Sequence, residues 1–438
     1  MKQPLAEQML QAGRGSGSPA PARPTASPTL GRWLAACSDL ARLQASHPMS
    51  DAVIDQIDGR RIRIGGHWLT DFASCNYLGL DLDPEILQAV PEYLARWGTH
   101  PSWSRLLGSP RLYEEIEGEL TALLGAEDTL LLPTITHIHL SVIPALADRT
   151  GQIFLDSQAH KTIYDGCVVA RAQGATLHRY PANDLQVLEQ MLRRAPAGVP
   201  KLICTDGVNS MTGNTPDLAR LALLARTYDA LLYVDDAHGF GVIGERSPAE
   251  RCPYGARGNS IVRHAGESYD NVILVGGFSK AYSSLLAFLA LPTATKNDLK
   301  VAAAPYLYSG PSPVASLATV LAGFDVNDAR GEQIRAELYR KTEDVLVAVH
   351  RLGLVTPNTS GTPIIEIPLA SDRDIDAVGR FLFDEGIYVT LAAYPLVPRS
   401  EVGFRIQVTA ANGDDEIEAL CQTLTRLTEQ FDVRRADG

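Results

Sequence analysis

An acidic strand end is the first part of the sequence that could do chemistry. The apolar run Leu231–Val234 predicts a buried strand, and Asp235 and His238 follow it closely. In an open α/β sheet the ligand crevice lies at the carboxyl ends of the strands, so a carboxylate at this position is well placed for function. The alternative is an aspartate that only caps a turn.

A lysine follows a second apolar strand, predicted at Asn271–Val275. This strand opens into a glycine-containing turn that ends in Lys280. Burial lowers the pKa of a lysine amine, and the neutral amine forms Schiff bases. Taken alone, Lys280 has the alternative of a surface lysine. Together with Asp235 the pattern is more specific, because a fixed carboxylate and a Schiff-base lysine are what pyridoxal 5'-phosphate (PLP) needs from a protein.

At this point the chain resembles the α-oxoamine synthases. This group of fold-type I PLP enzymes includes 8-amino-7-oxononanoate synthase, 2-amino-3-ketobutyrate CoA ligase, 5-aminolevulinate synthase and serine palmitoyltransferase. The resemblance extends over residues 50–430, and its most specific stretches are Asp71–Leu80, Ser104–Gly108, Val234–Gly239, Gly277–Lys280 and Tyr308–Ser309. It implies PLP as the cofactor and an α/β fold of the aspartate-aminotransferase type, with a mostly parallel sheet in the large domain and a smaller C-terminal α+β domain.

The resemblance also implies a role for each residue of the cofactor site. Lys280 carries the cofactor as a Schiff base, Asp235 pairs with its ring nitrogen, and His238 donates to its phenolic oxygen. His160 stacks on the ring, and these four are the predicted catalytic residues. The other cofactor-binding residues that the resemblance implies are Thr134, Ile135, Thr136, Ser210, Ser279 and, from a neighbouring subunit, Ser309.

The predicted substrate-binding residues are Arg405, Asn76 and Ser104. By the resemblance Arg405 grips the amino-acid carboxylate, a task that suits a planar guanidinium because it meets both oxygens. Without the family match, an arginine on a domain surface would be the favoured interpretation. No metal site is predicted, because the His137 and His139 pair has no third ligand at a suitable spacing.

The predicted phosphate-binding positions depart from the family pattern. Thr134, Ile135 and Thr136 stand where the family usually has serine, glycine and an aromatic residue. Gly277 and Gly310 stand where it commonly has threonine. The remaining threonines can still donate, and a helix N-terminus still favours an anion. We therefore predict weaker PLP binding than in a typical relative, and tighter binding in a Gly277→Thr variant.

Alternating strand and helix patterns position these residues. The predicted strands are Thr129–Pro133, Gly151–Asp156, Ala175–Tyr180, Lys201–Asp206, Ala230–Asp235 and Asn271–Val275. The predicted helices between them include Arg111–Leu124, Asp184–Arg194 and Asp217–Tyr228. Such alternation is typical of a mostly parallel sheet with helices on both faces.

Four regions follow from the composition and the patterns. Residues 1–30 are predicted to be a disordered leader, because the Pro-, Ala-, Ser- and Gly-rich stretch 14–30 buries too little apolar surface to fold. Residues 31–83 are an N-terminal arm, with a helix over Trp33–Leu43 and a hairpin over Val53–Phe72. The large PLP-binding domain covers 84–324. The small domain covers 325–438, with a long helix through Arg351 and strands predicted at Pro363–Leu369, Ile387–Leu391 and Phe404–Val408.

The overall composition excludes several classes of protein. A formal net charge of -12 argues against nucleic acid or an anionic membrane as a partner. No apolar run reaches the roughly 18 residues that a membrane span needs. Six cysteines without a C-x-x-C spacing indicate neither a disulfide framework nor a zinc site, so we expect a cytoplasmic protein.

The function that the resemblance implies is a decarboxylative condensation. An amino acid and an acyl thioester, carried by coenzyme A or a carrier protein, would give an α-aminoketone, CO₂ and a free thiol. Transamination or retro-aldol cleavage stays open, since the fold and the lysine do not fix the bond that breaks. A non-catalytic partner subunit is a further alternative, against which the intact Lys280 and Asp235 argue. The expected unit is a homodimer with shared active sites, because Ser309 is predicted to reach the neighbouring site.

Overall fold

A computed structural model describes residues 37–248 and 250–435 of the chain. The predicted leader and the beginning of the predicted N-terminal helix lie outside the described residues. The remainder of that helix belongs to α1, Ser38–Ser46. The predicted hairpin is confirmed as an antiparallel meander of β1 (Ile54–Asp58), β2 (Arg61–Ile64) and β3 (His67–Asp71).

The central element is a seven-stranded sheet. Its strands are β4 (Asp128–Leu132), β5 (Gln152–Asp156), β6 (Thr176–Tyr180), β7 (Lys201–Asp206), β8 (Leu231–Asp235), β9 (Val272–Gly277) and β10 (Ala287–Leu291). They lie in the order β4-β10-β9-β8-β7-β5-β6, and all neighbours are parallel except β10, which runs antiparallel to β4 and β9. The six predicted strands are confirmed with small shifts at their ends. Strand β10 was not predicted.

Apolar side chains cover both faces of this sheet. Leu131 packs in one cluster, whereas Leu130 and Leu132 pack in the other, as expected when successive side chains point to opposite faces. Burial on both sides explains why these strands read as continuous apolar runs.

The helices between α1 and the C-terminal part are α2 (Pro84–Trp97), α3 (Leu112–Leu124), α4 (Ile135–Ala147), α5 (Lys161–Ala172), α6 (Leu185–Arg194), α7 (Leu218–Thr227), α8 (Ile261–His264), α9 (Thr293–Ala302) and α10 (Ala304–Leu307).

Capping side chains determine where several of these helices begin. Asp184 accepts a hydrogen bond from the backbone N–H of Val187 at the start of α6, and Asp217 does the same for Arg220 at the start of α7. Thr134 caps α4 in the same way, by accepting from the N–H of His137. Such side chains satisfy N–H groups that have no partner within the helix.

The C-terminal part begins with one long helix and adds a second sheet. Its elements are α11 (Val314–Arg351), β11 (Ile364–Pro368), α12 (Ile375–Asp384), β12 (Ile387–Tyr388), β13 (Thr390–Ala392), β14 (Gly403–Gln407) and α13 (Asp414–Gln430). Strands β11, β14 and β13 form an antiparallel sheet with β14 in the centre. The predicted strand at Ile387–Leu391 is wrong as a single element: β12 pairs with β3 of the N-terminal meander, and β13 pairs with β14.

Helix α11 begins at Val314 and therefore runs through the boundary predicted after residue 324. The division into domains stays a prediction. Between residues 37 and 435, leaving aside the one undescribed position at 249, no helix has both the length and the apolar character required to cross a bilayer.

Candidate active site

A cavity of about 180 Å³ lies at the carboxyl ends of the parallel strands. The segments that follow β4, β5, β7, β8 and β9 form its walls. It brings together nine of the predicted site residues: Thr134, Ile135, Thr136, His160, Ser210, Asp235, His238, Ser279 and Lys280. Because these residues are spread over more than 140 positions of the chain, the parallel sheet itself assembles the site.

Asp235 is held as a buried carboxylate at the end of β8. Its Oδ2 atom accepts a hydrogen bond of 2.9 Å from Nε2 of His139, and its Oδ1 atom accepts from the N–H of Ala237 at 3.0 Å. Burial opposes ionisation of this group, but the hydrogen bond and charge of His139, together with the Lys280 charge, lower the pKa of the Asp235 carboxyl below its ordinary value. The structure therefore favours a negative charge at this point of the cavity wall.

His139 is a site residue that sequence reasoning missed. It lies on α4 with no exposed surface, and its Nδ1 atom is 2.8 Å from the hydroxyl of Tyr233 on β8. His137, its neighbour in the His-x-His pair, is exposed. In the described part of the chain, no three His, Cys, Asp or Glu side chains come close enough to hold a metal ion. The available signal was a histidine between two apolar residues, Ile138 and Leu140, shortly after the predicted phosphate loop.

His238 begins a chain of hydrogen bonds that leads away from the cavity. Its Nδ1 atom is 2.8 Å from the Tyr77 hydroxyl, which donates to Oε1 of Gln407 at 2.9 Å. The Gln407 amide is fixed because its Nε2 atom donates to the carbonyl of Ala73. Since the Tyr77 proton is committed to Gln407, Nδ1 of His238 must donate to Tyr77.

This arrangement determines the protonation of the His238 ring. With a proton on Nδ1, the Nε2 atom of the neutral ring is an acceptor, and it donates only when the ring is protonated. Burial, followed by the positive charges of Lys280, Arg405 and His160, lowers the pKa of His238 well below its ordinary value. The family resemblance implies that His238 donates to the phenolic oxygen of PLP. Donation from Nε2 requires a protonated ring, and the lowered pKa of His238 opposes that protonation.

The turn that carries Lys280 is anchored by an aromatic cluster. Phe278, between Gly277 and Lys280, is fully buried and packs edge-on against Phe240 and Tyr282. Its N–H donates to the carbonyl of Leu286, at the entrance of β10. The buried ring fixes the turn, so that Lys280 is presented to the cavity from a rigid support.

Ile135 and Gly277 are complementary across the predicted phosphate site. A Cβ atom added at Gly277 would lie 2.6 Å from Cδ1 of Ile135, so the isoleucine occupies the space that a side chain at 277 would need. At Gly310 an added Cβ would lie 3.5 Å from the His100 ring, an ordinary contact. The two glycines that depart from the family pattern thus differ. Ile135 fills the space beside Gly277, whereas the space beside Gly310 is open to a new side chain.

Asp206 and His160 also line the cavity and are joined by a hydrogen bond. The Asp206 carboxyl accepts from the backbone N–H of His160 at 3.0 Å and from the amide of Asn209 at 3.2 Å. Burial and the nearby charge of Asp235 raise the pKa of Asp206 well above its ordinary value. Burial also lowers the pKa of His160, although the Asp235 charge acts in the opposite direction. Both groups therefore tend towards their neutral forms.

The other four predicted site residues do not line this cavity. Arg405, on β14, contacts its wall from outside, where Nη1 donates to the backbone carbonyl of Ser210. Asn76 lies in the loop after β3, next to Tyr77, and Ser104 lies in the loop before α3. Ser309 lies in the loop after α10, where its hydroxyl donates to the carbonyl of Gly310.

The cavity residues fit PLP from end to end. The ionised Asp235 lies where a protonated ring nitrogen needs a counter-charge, and Lys280 offers an amine to an aldehyde. The first N–H groups of α4 and the hydroxyls of Thr134, Thr136 and Ser279 suit a phosphate. These three sets of groups match the ring nitrogen, the aldehyde and the phosphate of the cofactor.

The comparison with known families settles the relationship. Residues 69–424 match the model of the aminotransferase class I and II family. The chain belongs to this family. Members of this family with similar sequences include an 8-amino-7-oxononanoate synthase of Chromohalobacter salexigens, 35% identical over 355 residues that cover 81% of this chain and 88% of that protein. A serine palmitoyltransferase of Sphingobacterium spiritivorum is 30% identical over 378 residues, which cover 86% and 89%.

Solved structures of this aminotransferase class I and II family agree in fold. The Sphingomonas wittichii serine palmitoyltransferase superposes with a TM-score of 0.82 at 24% identity, over 92% of this chain and 98% of that one. A serine palmitoyltransferase of S. paucimobilis with bound PLP and myriocin gives a TM-score of 0.83 at 22% identity, over 92% and 99%. The fold predicted from the resemblance is therefore confirmed. The protein is a PLP-dependent acyl-transferring enzyme of the α-oxoamine synthase type.

Proposed function

We propose that the cavity performs the decarboxylative condensation of an amino acid with an acyl thioester, with Lys280, Asp235, His238 and Arg405 as its working residues. The observation that carries the proposal is the position of Lys280 and Asp235 on one cavity, at the carboxyl ends of neighbouring strands. In the reaction the bond from the α-carbon to the carboxylate breaks, a bond from the α-carbon to the acyl carbon forms, and the thioester C–S bond breaks. The carboxylate leaves as CO₂, and the thiolate takes up a proton.

When bound, PLP supplies an aldehyde for attachment of amines and an electron sink for the α-carbon. Lys280 would hold PLP through its side-chain amine, and the same amine, when free, would carry protons to and from the α-carbon of the substrate. Asp235 keeps the ring nitrogen protonated. His139 and Tyr233 are positioning residues, since they reach the cofactor only through Asp235.

Arg405 is proposed to hold the carboxylate of the incoming amino acid. Its guanidinium contacts Ser210, which lines the cavity, so a small movement of the side chain would bring it to a ligand there. A carboxylate held by a planar fork of N–H donors has a fixed orientation. A fixed orientation of the carboxylate would favour breakage of one particular bond at the α-carbon.

We propose that the working unit is a homodimer. Ser309 lies outside the cavity of its own chain, on a surface with large exposed apolar side chains: Trp103, Leu106, Leu107 and Tyr308. The two loops that form this surface are joined by a hydrogen bond of 2.9 Å between the His100 ring and the carbonyl of Pro311. A second copy would cover these side chains and would place Ser309 at the neighbouring site.

A reducing, cytoplasmic location is also proposed. All six cysteines are free, and the buried pair Cys167 and Cys204 are in contact without forming a disulfide. In an oxidising compartment such neighbours would be at risk of oxidation.

The test of the proposed function uses the PLP-loaded protein and a set of substrates. Glycine, L-alanine and L-serine are each mixed with acyl thioesters of coenzyme A and of a carrier protein. We expect one combination to release CO₂ and free thiol in equal amounts and to form an α-aminoketone. A keto acid formed from the amino acid without CO₂ would support transamination, and an aldehyde released from a β-hydroxy amino acid would support retro-aldol cleavage.

A further inference from the structure

A buried acid faces Arg405 within the small sheet. Glu366, on β11, lies directly opposite Arg405, on β14, in the antiparallel register. Residues opposite each other in such a pair have their side chains on the same face, with Cβ atoms about 4.5–5.5 Å apart. Glu366 is only 2% exposed. A carboxyl group and a guanidinium are thus neighbours in a largely buried place.

Each of these two side chains has an unsatisfied buried atom. Among the residues that the structure describes, Oε1 of Glu366 and Nε of Arg405 have no hydrogen-bond partner. One is an acceptor and the other a donor. An unpaired buried polar atom is unfavourable, and each of these atoms is the partner that the other lacks. A change of side-chain rotamer would join them.

The lengths of the two side chains favour this particular contact. The carboxylate oxygens of Glu366 and the Nε atom of Arg405 are the same number of bonds from their Cβ atoms, so they lie at matching heights above the sheet. The two Nη atoms extend further, and Nη1 already reaches the carbonyl of Ser210 at the cavity wall. A Glu366 contact at Nε would leave the outer edge of the guanidinium free for a ligand.

We propose that Glu366 is a positioning residue for Arg405, which binds Nε and so directs the guanidinium towards the carboxylate of the amino-acid substrate. This inference rests on the proposed function, because it requires that Arg405 binds that carboxylate. Glu366 itself does not touch the substrate. It acts through the orientation of its neighbour, and its effect is therefore confined to ligands that carry a carboxylate.

Protonation of Glu366 gives the contact a dependence on pH. Burial is the main cause that raises the pKa of this carboxyl to about 7, the charge of Glu401 acts in the same direction, and the charge of Arg405 opposes them. Arg405 faces Glu366 from β14, and Glu401 faces it from the short 3-10 turn Arg399–Glu401. Above this pKa the carboxylate is charged and binds Nε more strongly. Below it, the group is neutral and the contact weakens.

Two substitutions of Glu366 separate its charge from its shape. Glu366→Gln keeps an acceptor oxygen but cannot ionise, and Glu366→Met keeps a similar volume without an acceptor. The dissociation constant of the PLP-loaded protein is measured from the change in cofactor absorbance. The probes are the best-binding amino acid among glycine, L-alanine and L-serine, and its carboxamide. The variant constant is divided by the wild-type constant for each probe, so that the titration of the probe itself cancels.

For the amino acid, the dissociation constant of Glu366→Gln divided by that of the wild type should be close to one near pH 6 and should rise to about ten near pH 8.5. The rise corresponds to the difference between a neutral and a charge-assisted hydrogen bond. Glu366→Met should weaken binding at least as much at each pH. For the carboxamide both ratios should stay near one. A ratio that is flat with pH for Glu366→Gln, or equal effects on both probes, would overturn the proposal.

Arg405→Ala separates this inference from the function on which it rests. If Arg405→Ala leaves the affinity for the amino acid unchanged, the proposed carboxylate-binding role of Arg405 is wrong. If Arg405→Ala weakens binding and the Glu366 variants do not, only the role of Glu366 is wrong. Should Glu366→Met fail to fold, the pH dependence of the Glu366→Gln ratio still decides the matter.

Discussion

The contact between Ile135 and Gly277 changes what a restored threonine should do. The sequence alone predicts that Gly277→Thr tightens PLP, because it returns a hydroxyl that the family commonly has. In the structure, the new Cβ would lie 2.6 Å from Cδ1 and 3.2 Å from Cγ1 of Ile135. Ile135 also lines the cavity, so the threonine would push its side chain towards the space that the phosphate needs.

The two effects have similar magnitudes and opposite signs. A hydrogen bond from threonine to the charged phosphate contributes about 1.5–3 kcal/mol. Overpacking by a side chain of this size costs about 1–3 kcal/mol. We therefore expect Gly277→Thr alone to leave PLP affinity unchanged or weaker. The double variant Ile135→Ala/Gly277→Thr removes both colliding atoms, and it should bind PLP about ten- to a hundredfold more tightly than Ile135→Ala.

The assay is a titration of the apo-protein with PLP and with pyridoxal, which lacks the phosphate. The ratio of the two affinities isolates the phosphate contribution, because the covalent bond to lysine is common to both. Gly310→Thr is the matched control for the cost of a new side chain, since its Cβ would meet only an ordinary contact at 3.5 Å. It should not lower the thermal unfolding midpoint, whereas Gly277→Thr should. If threonine at 277 raises the ratio equally with and without Ile135, the two positions are independent and the reasoning from the contact is wrong.

Four further predictions concern the site residues and the assembly. Lys280→Ala should abolish the visible absorbance of the PLP-loaded protein, and borohydride reduction of the wild type followed by peptide mapping should label Lys280; a label on another lysine contradicts the assignment. Asp235→Asn should retain PLP but lose at least about a hundredfold in turnover, because an amide cannot hold the ring proton, and unchanged turnover would show that the electron sink is not used. His139→Phe removes the hydrogen bond that lowers the pKa of Asp235, so its activity should fall at a higher pH than that of the wild type as the solution is acidified; superimposable acid limbs would refute this role. An equimolar mixture of Lys280→Ala and Ser309→Glu subunits, dissociated and reassembled, should recover about a quarter of wild-type activity through hybrid dimers that contain one intact site, and no recovery would argue against shared sites.

The sequence was informative where function depends on local pattern. The strands that end at Asp206 and Asp235, and the turn to Lys280, were identified from apolar runs and from the polar residues that follow them. Strand β10 was not predicted because its apolar run begins shortly after Lys280, with only Ser283 and Ser284, and neither glycine nor proline, to separate the two. A short apolar segment without such boundaries is compatible with a strand or a buried helix turn.

The remaining features depend on contacts between distant residues. His139 and Asp235 meet only because α4 packs beside the end of β8, and Ile135 meets Gly277 only because the first residue of α4 lies beside the last residue of β9. Glu366 gave no signal at all, because a single acid within a short strand is usually solvent-exposed. The register of β11 against β14 places it opposite Arg405, and no local pattern specifies that register.

The pairing of β3 with β12 has a consequence for the order of events during synthesis. Thr70 lies beside Ile387, and Asp71 beside Tyr388, so the meander obtains its fourth strand only after every strand of the large sheet has been synthesised. At a synthesis rate of about 5–20 residues per second, the edge of β3 stays without this partner strand for roughly 15–60 s.

Formation of the catalytic cavity is delayed for a similar reason. The carbonyl of Ala73 and the hydroxyl of Tyr77 both depend on Gln407 for their hydrogen bonds, and the N–H of Gln407 donates to the carbonyl of Phe72. A nascent chain that ends before β14 therefore cannot fix the His238 ring, even though every strand of the large sheet has already been made. Capture of the cofactor in the mature geometry of the site therefore requires that β14 has been synthesised and has reached the loop after β3.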